Sequence, residues 1–232
     1  MDRLVSAPLP PQPLPAGDSG LRSNCELAPK GLSPSGEAGL QGLMPTSTAP
    51  SSSLAWPARA RAIQLVLTDC DGVLTDGGVY YSESGESMKR FSIRDGMGVE
   101  RLRNAGIATA IVTGERSPSV QHRADKLGIR AHLGVKNKAA ELDKILLEHG
   151  FDSSQAAYIG DDVNDLAAME QIHLAGLTGA PGDAVPEIRK RAHLVTQALG
   201  GHGAFREFAE WILALRADDA SRDQSEPREK TQ

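Results

Sequence analysis

The sequence predicts an α/β fold, a parallel sheet with helices on both faces, on three observations. Short apolar runs alternate with stretches of amphipathic helical spacing from Ile63 onward. The runs are apolar throughout and bounded by Gly, Asp or Thr, as strands covered on both faces are. Gly106, Gly128 and Gly150 each close a helical stretch, where a helix needs a residue that tolerates positive φ.

Taken in order, IQLVLTD (63–69) is the first central strand. VYYSESGESMKRFSI (79–93) breaks the alternation with two strand-like arms around Ser84-Gly85 and reads as a β-hairpin. Residues 96–105 follow as a helix, IATAIVT (107–113) as a strand, and residues 117–127 and 136–149 as two helices. AAYIG (156–160) and HLAGL (173–177) are the remaining strands, with helices over 162–171 and 183–190. The last helix, 204–215, repeats Phe205, Phe208, Trp211, Ile212 and Leu215 at helical spacing and so presents an apolar face to the core or to another subunit.

The chain divides into three parts. Residues 1–60 hold 10 of the 14 prolines with 9 serines and 6 glycines, the composition of a disordered leader. It lacks the cationic start and unbroken apolar stretch of a signal peptide, and MPTSTAP makes Met44 a candidate true start. Residues 61–216 form the folding unit, about 155 residues, too short for a large two-domain enzyme. Residues 217–232 are a polar tail expected to be disordered. A net charge of −5 with no basic stripe argues against nucleic acid as a partner. No run reaches the ~18–20 apolar residues of a membrane span. Cys25 and Cys70 cannot make a disulfide framework, and a reducing compartment follows.

Reactive groups of an open parallel sheet gather at the carboxyl ends of its strands. Four polar signals fall there. Asp69-Cys70-Asp71-Gly72 follows the first strand, and two acids at a strand end can reach one centre. Thr113-Gly114 offers a hydroxyl and a backbone N–H where a helix starts. Lys138, in GVKNK, lies at another helix start. Gly160-Asp161-Asp162-Val163-Asn164-Asp165 places Asp161 and Asp165 four apart, on one helix face. Together they supply hard oxygen ligands for Mg²⁺, a cation and phosphate-binding donors, the equipment of phosphoryl transfer. Other motifs fail on spacing: an EF-hand starting at Asp69 would need Gly and Glu where Leu74 and Tyr80 stand, Asp76 occupies the Arg position of a cysteine phosphatase, and no P-loop occurs. Cys70 then reads as a small filler between two acids.

Asp69-x-Asp71-Gly-x-x-Thr, Thr113, Lys138 and GDDxxD in this order resemble the haloacid dehalogenase-like (HAD) phosphatase superfamily. GESMKRFSIRDGMG (85–98), VTGERS (112–117) and GGHGAFRE (200–207) are similar, more narrowly, to the 3-deoxy-D-manno-octulosonate 8-phosphate (KDO 8-phosphate) phosphatase family, over residues 63–215. Met97 and His202 depart from that family's commoner Tyr and Arg. The resemblance implies a Rossmann-like HAD core, Asp69 as nucleophile and Asp71 as acid and base. It further implies Mg²⁺ on the Asp69 and Asp161 side chains and the Asp71 carbonyl, and Thr113, Gly114 and Lys138 on the phosphate. Asp162 and Asp165 would stand behind these groups, orienting water or Lys138. Arg94, Lys89 and Arg206 are its candidates for holding the sugar acid. The activity implied is hydrolysis of KDO 8-phosphate in cytoplasmic lipopolysaccharide precursor synthesis. A related nonulosonate 9-phosphate, or a non-catalytic tetramerisation module of the same fold, are the alternatives.

Spacing adds one expectation. Neither the 42 residues from Asp71 to Thr113 nor the 23 from Lys138 to Asp161 can hold a lid domain, so the core is capless, with the hairpin as a flap hinged on the Gly-rich 73–79 segment. An open site invites cover from a neighbouring subunit, and the resemblance implies a homotetramer.

Overall fold

The computed structural model describes residues 56–223. The expectations for residues 1–55, including Cys25 and a start at Met44, and for residues 224–232 lie outside the described residues. Six strands, β1 (Leu65–Thr68), β4 (Ala108–Thr113), β5 (Arg130–Leu133), β6 (Ala156–Ile159), β7 (Leu177–Ala180) and β8 (Leu194–Val195), pair in the order β5-β4-β1-β6-β7-β8. Every pairing among them is parallel. β2 (Tyr80–Ser82) and β3 (Gly85–Met88) form a separate antiparallel hairpin within the expected 79–93 segment, but its second arm ends at Met88 and Ile93 already begins the following helix. Helices α1 (Trp56–Ala62), α2 (Ile93–Asn104), α3 (Pro118–Leu127), α4 (Lys138–His149), α5 (Val163–His173), α6 (Pro186–Arg189) and α7 (Ala204–Asp223), with a short 3-10 helix at Ser153–Gln155, complete the order.

β1 lies at the centre of the sheet because its four residues are all buried, alternating between two cores. Val66 faces a core closed by Leu102, Phe205, Phe208 and Ile212. Leu65 and Leu67 face one closed by Leu142, Leu146, Met169 and Ile172. The neighbours of β1 on its two sides, β4 and β6, are reached by crossovers that leave in opposite directions. A crevice therefore opens beyond the carboxyl end of β1, and ligands of such sheets bind at that switch point.

Four sequence expectations are corrected. The segment 173–177 is not a strand: α5 runs on to His173, Gly176 N–H closes the turn on the Ile172 carbonyl at 2.7 Å, and the strand is Leu177–Ala180. Its Gly179 is needed there, since a Cβ would lie 2.6 Å from the Phe208 ring. β5 escapes detection because it is an edge strand of polar sequence, Arg-Ala-His-Leu, only partly buried. The expected helix over 183–190 shrinks to Pro186–Arg189. The folded region also reaches past both of its expected ends. α1 starts inside the expected leader, where Trp56 meets Trp211 edge-on at 5.7 Å and Arg59 Nη1 donates to the His173 carbonyl at 3.0 Å. α7 continues to Asp223, inside the expected tail.

Near α1, the His173 and His193 rings stack at 3.9 Å and 4°. Thr178 N–H donates to His193 Nδ1 at 3.0 Å. Burial, then the neighbouring His173 and Arg59, push the His193 pKa from the usual 6.5 down to about 4. The unfolded chain therefore takes up a proton that the folded protein refuses, and stability contributed by neutral His193 is lost as pH falls from 6.5 toward about 4. The melting temperature of His193→Phe is expected to fall less steeply than that of the parent protein over this window. Parallel slopes in circular-dichroism melts would refute the assignment.

Candidate active site

The site is built from four loops at the carboxyl edge. After β1 the chain turns tightly: the Cys70 carbonyl accepts from the N–H groups of Leu74 and Thr75 at 2.9 and 3.0 Å. The turn sends Asp69 and Asp71 to the crevice and buries Cys70 in the core, the filler role expected for it. Gly72 makes the turn possible, with φ of 86° and no room for a side chain, because a Cβ would lie 1.9 Å from Asp161 Oδ2. The late Gly-Gly segment packs on this loop; a Cβ on Gly200 would meet the Gly72 carbonyl at 2.0 Å.

Lys138, at the first position of α4, is 2% exposed and holds two carboxylates, Asp69 Oδ1 at 2.8 Å and Asp165 Oδ1 at 2.6 Å. Burial works against its charge, but these two acids outweigh it and raise its pKa. Asp165 is the most completely bonded acid of the group. Its Oδ1 also accepts from the Tyr158 hydroxyl at 2.7 Å, and its Oδ2 accepts from the Asp161 and Asp162 N–H groups at 3.2 and 3.5 Å. The helical-face expectation for Asp161 is corrected, since α5 begins at Val163 and Asp161 precedes it in the loop. Asp162 caps that helix, accepting from Val163 N–H at 2.7 Å.

Oxygens of Asp69, Asp161 and Asp165 lie within 4.8 Å of one another. One lysine does not balance this much negative charge. Burial, then Asp165, raise the Asp69 pKa to about 7 against the pull of Lys138. Burial, then Asp69 and Asp165, raise that of Asp161 to about 8. Asp161 Oδ1 is buried with no hydrogen-bond partner. An orphaned buried carboxylate oxygen beside a second carboxylate fits a hard divalent cation such as Mg²⁺. Asp165, although it belongs to the cluster, has both oxygens taken by donors and is better suited to holding Lys138 and the loop.

Thr113 is buried at the end of β4, and its hydroxyl accepts from Glu115 N–H at 3.2 Å. Gly114 follows in a loop four residues before α3, so the expected helix start at this point is corrected. Asp69, Asp71, Thr113, Gly114, Asp161 and Asp162 line one cavity of about 220 Å³. Glu115 and Asn164 line it too and were missed from sequence; the first belongs to VTGERS and the second to GDDxxD, so their motifs carried the signal. Tyr158 was missed as well, because within AAYIG it reads as one more apolar strand residue.

The three residues expected to hold the sugar acid do not line this cavity. Lys89 pairs instead with Asp71 Oδ2 at 2.6 Å, its side chain 1% exposed. Arg206 Nη2 is spent on Glu210 Oε1 at 2.8 Å. Arg94 is exposed and borders a separate depression with Arg90 and His202. The RDG segment contributes through its aspartate: Asp95, buried, accepts from Gly203 N–H at 3.3 Å and Arg206 N–H at 3.0 Å, and so caps the start of α7. A larger cavity of about 400 Å³ opens at the opposite, amino edge of the sheet. Its Arg103 and Arg130 bond to carbonyls where α3 and α4 end, which accounts for their charge there.

A parallel sheet with no lid domain among the described residues, with paired aspartates, a buried lysine and an acidic loop at its switch point, defines a HAD-type hydrolase, and residues 90–173 match the family model of the haloacid dehalogenase-like hydrolases. The chain is 41% identical over 157 residues to 3-deoxy-D-manno-octulosonate 8-phosphate phosphatase of Yersinia pestis, covering 67% of this chain and 82% of the relative. It is 37% identical over 171 residues to the Escherichia coli K12 enzyme of that name, covering 72% and 89%. The chain therefore belongs to the KDO 8-phosphate phosphatase family of HAD-like hydrolases. Among solved structures it is similar to the Moraxella catarrhalis enzyme in complex with magnesium, phosphate and KDO, at a TM-score of 0.66 and 33% identity, covering 76% of this chain and all of the other. The cobalt-bound Haemophilus influenzae enzyme gives 0.65 and 36%, covering 71% and 95%.

Proposed function

We propose that this protein hydrolyses KDO 8-phosphate to KDO and inorganic phosphate, with Asp69 as nucleophile and Asp71 as acid and base. The observation that carries the reading is that Asp69, held from behind by Lys138, and Asp161 open beside Asp71 into one cavity at the switch point. Asp69 attacks phosphorus as the bond to the sugar C8 oxygen breaks, and Asp71 gives that oxygen its proton. The acid, now a carboxylate, takes a proton from the water that cleaves the aspartyl phosphate, which restores both aspartates. Thr113 and Gly114 line the cavity and hold the phosphoryl oxygens, while Lys138, expected from sequence on the phosphate, lies behind Asp69, fixes its carboxylate and lends its charge as the phosphoryl group is drawn onto Asp69. Asp69, Asp161 and the Asp71 carbonyl would hold Mg²⁺, which supplies charge neutralisation at the phosphoryl group.

The cavity's 220 Å³ is below the roughly 300–1,000 Å³ of sites that enclose a whole small molecule. It houses the phosphoryl group and leaves the sugar at the rim. Tyr80, Tyr81 and Met88 on the hairpin, with Ile93 and Met97 beyond it, are exposed apolar groups suited to a second copy of the chain. A homotetramer whose subunits complete one another's sugar sites, working in the cytoplasm, belongs to the same reading. No described helix is long and apolar enough to cross a membrane.

Phosphate release from KDO 8-phosphate, a nonulosonate 9-phosphate and simple hexose phosphates tests the proposal. Highest kcat/KM on the eight-carbon acid is expected. Faster turnover of the nine-carbon acid would reassign the substrate, and no release from any of them would favour a non-catalytic module.

A further inference from the structure

We propose that Lys89 is a positioning residue that fixes the Asp71 carboxylate and makes its aim depend on the seating of the β2–β3 hairpin; this rests on the role of Asp71 given above. Asp71 is gripped from two elements. Thr75, in its own loop, donates to Oδ1 at 3.3 Å, and Lys89, just past β3, donates to Oδ2 at 2.6 Å. The first bond is long and comes from a small hydroxyl, so the second sets the orientation.

Lys89 is in turn fixed by its surroundings. Glu86 Oε2 lies 3.9 Å from its ammonium, and Glu86 Oε1 accepts a short hydrogen bond from the Ser117 hydroxyl at the foot of α3. The hairpin is thus pinned at Asp71 and at Ser117, while its tip stays open, with Tyr81 75% exposed. A lysine side chain 1% exposed, with its ammonium between two carboxylates, is not free to meet a sugar carboxylate in solvent. Its contribution passes through Asp71. A flap displaced by the distance of one hydrogen bond would release the carboxylate from the line of the leaving oxygen, and general acid catalysis tolerates little misplacement.

The test compares leaving groups. The oxygen of KDO needs a proton to depart, whereas p-nitrophenolate leaves without one. In rapid-quench measurements, Lys89→Met is expected to slow first-turnover release of KDO by about 30- to 100-fold, a fraction of the ~10²–10⁴ that general acids supply. KM for KDO 8-phosphate and the first-turnover burst of p-nitrophenol from p-nitrophenyl phosphate should each stay within about threefold of the parent protein, because neither needs an aimed proton donor. Lys89→Arg, which keeps a cation beside Asp71, should recover much of the lost rate. Equal losses on both substrates would reduce Lys89 to a structural role and overturn the proposal. So would a raised KM with kcat kept, which marks a substrate contact. Should the methionine variant not fold, Lys89→Gln carries the same comparison. Asp69→Asn should lose both bursts; if it keeps them, the underlying mechanism fails independently of Lys89.

Discussion

Asp69→Asn is expected to lower kcat on KDO 8-phosphate by at least about 10³-fold, of order 4 kcal/mol in the barrier, without unfolding the protein. An amide at this position retains the size of the side chain but cannot form the aspartyl phosphate. The two effects separate because Asp69 is not placed for stability. It is 4% exposed, and burial and the charge of Asp165 both oppose its ionisation. Removing its charge also relieves Asp161, whose pKa Asp69 helps to raise. Without metal the variant should melt at or above the temperature of the parent protein. Steady-state kinetics beside a thermal melt would check this, and turnover within tenfold of the parent protein would overturn the role of Asp69.

Removal of divalent metal is expected to abolish turnover, and Mg²⁺ to restore it. The protein's own titration chemistry gives this a second readout. With the metal removed, Asp69 and Asp161 have pKa values raised to about 7 and 8, so they hold protons near neutrality. Binding a cation must expel those protons, and apparent Mg²⁺ affinity should fall as pH drops through this range. Raised carboxylate pKa values also mean that the folded state binds protons the unfolded chain has lost. Their contribution to metal-free stability therefore declines as pH climbs from about 4 through 7 to 8, and Mg²⁺ should offset the decline. Calorimetric titration with Mg²⁺ in two buffers of different ionisation enthalpy reads the proton release directly. Undiminished turnover in EDTA, or binding without proton release, would contradict the site as described.

Much of this site was legible because its chemistry is local in the chain. Asp69, Thr113 and Asp161 each directly follow or end an apolar run, and the end of a buried strand is where a parallel sheet presents polar groups. Central strands were legible for the same reason: β1, β4 and β6 are apolar on both faces. The edge strand β5 was hidden by polar residues that solvent tolerates, and β7 by a glycine that only the Phe208 ring requires. Asp165 shows the limit clearly. In sequence it is an acid on the first turn of a helix, a position that ordinarily faces water. In the fold it is fully buried, bonded to Lys138 from α4 and Tyr158 from β6.

The sheet class, the order of the four polar loops and the phosphoryl-transfer chemistry they carry can be read along the chain, since each depends on residues a few positions apart. The partners of the cations are set by folding. Lys89 lies on Asp71, Lys138 on two acids, Arg206 on Glu210, and Asp95 caps a helix more than a hundred residues away. A long flexible side chain reaches whatever the fold brings near it, and no spacing along the chain records that choice.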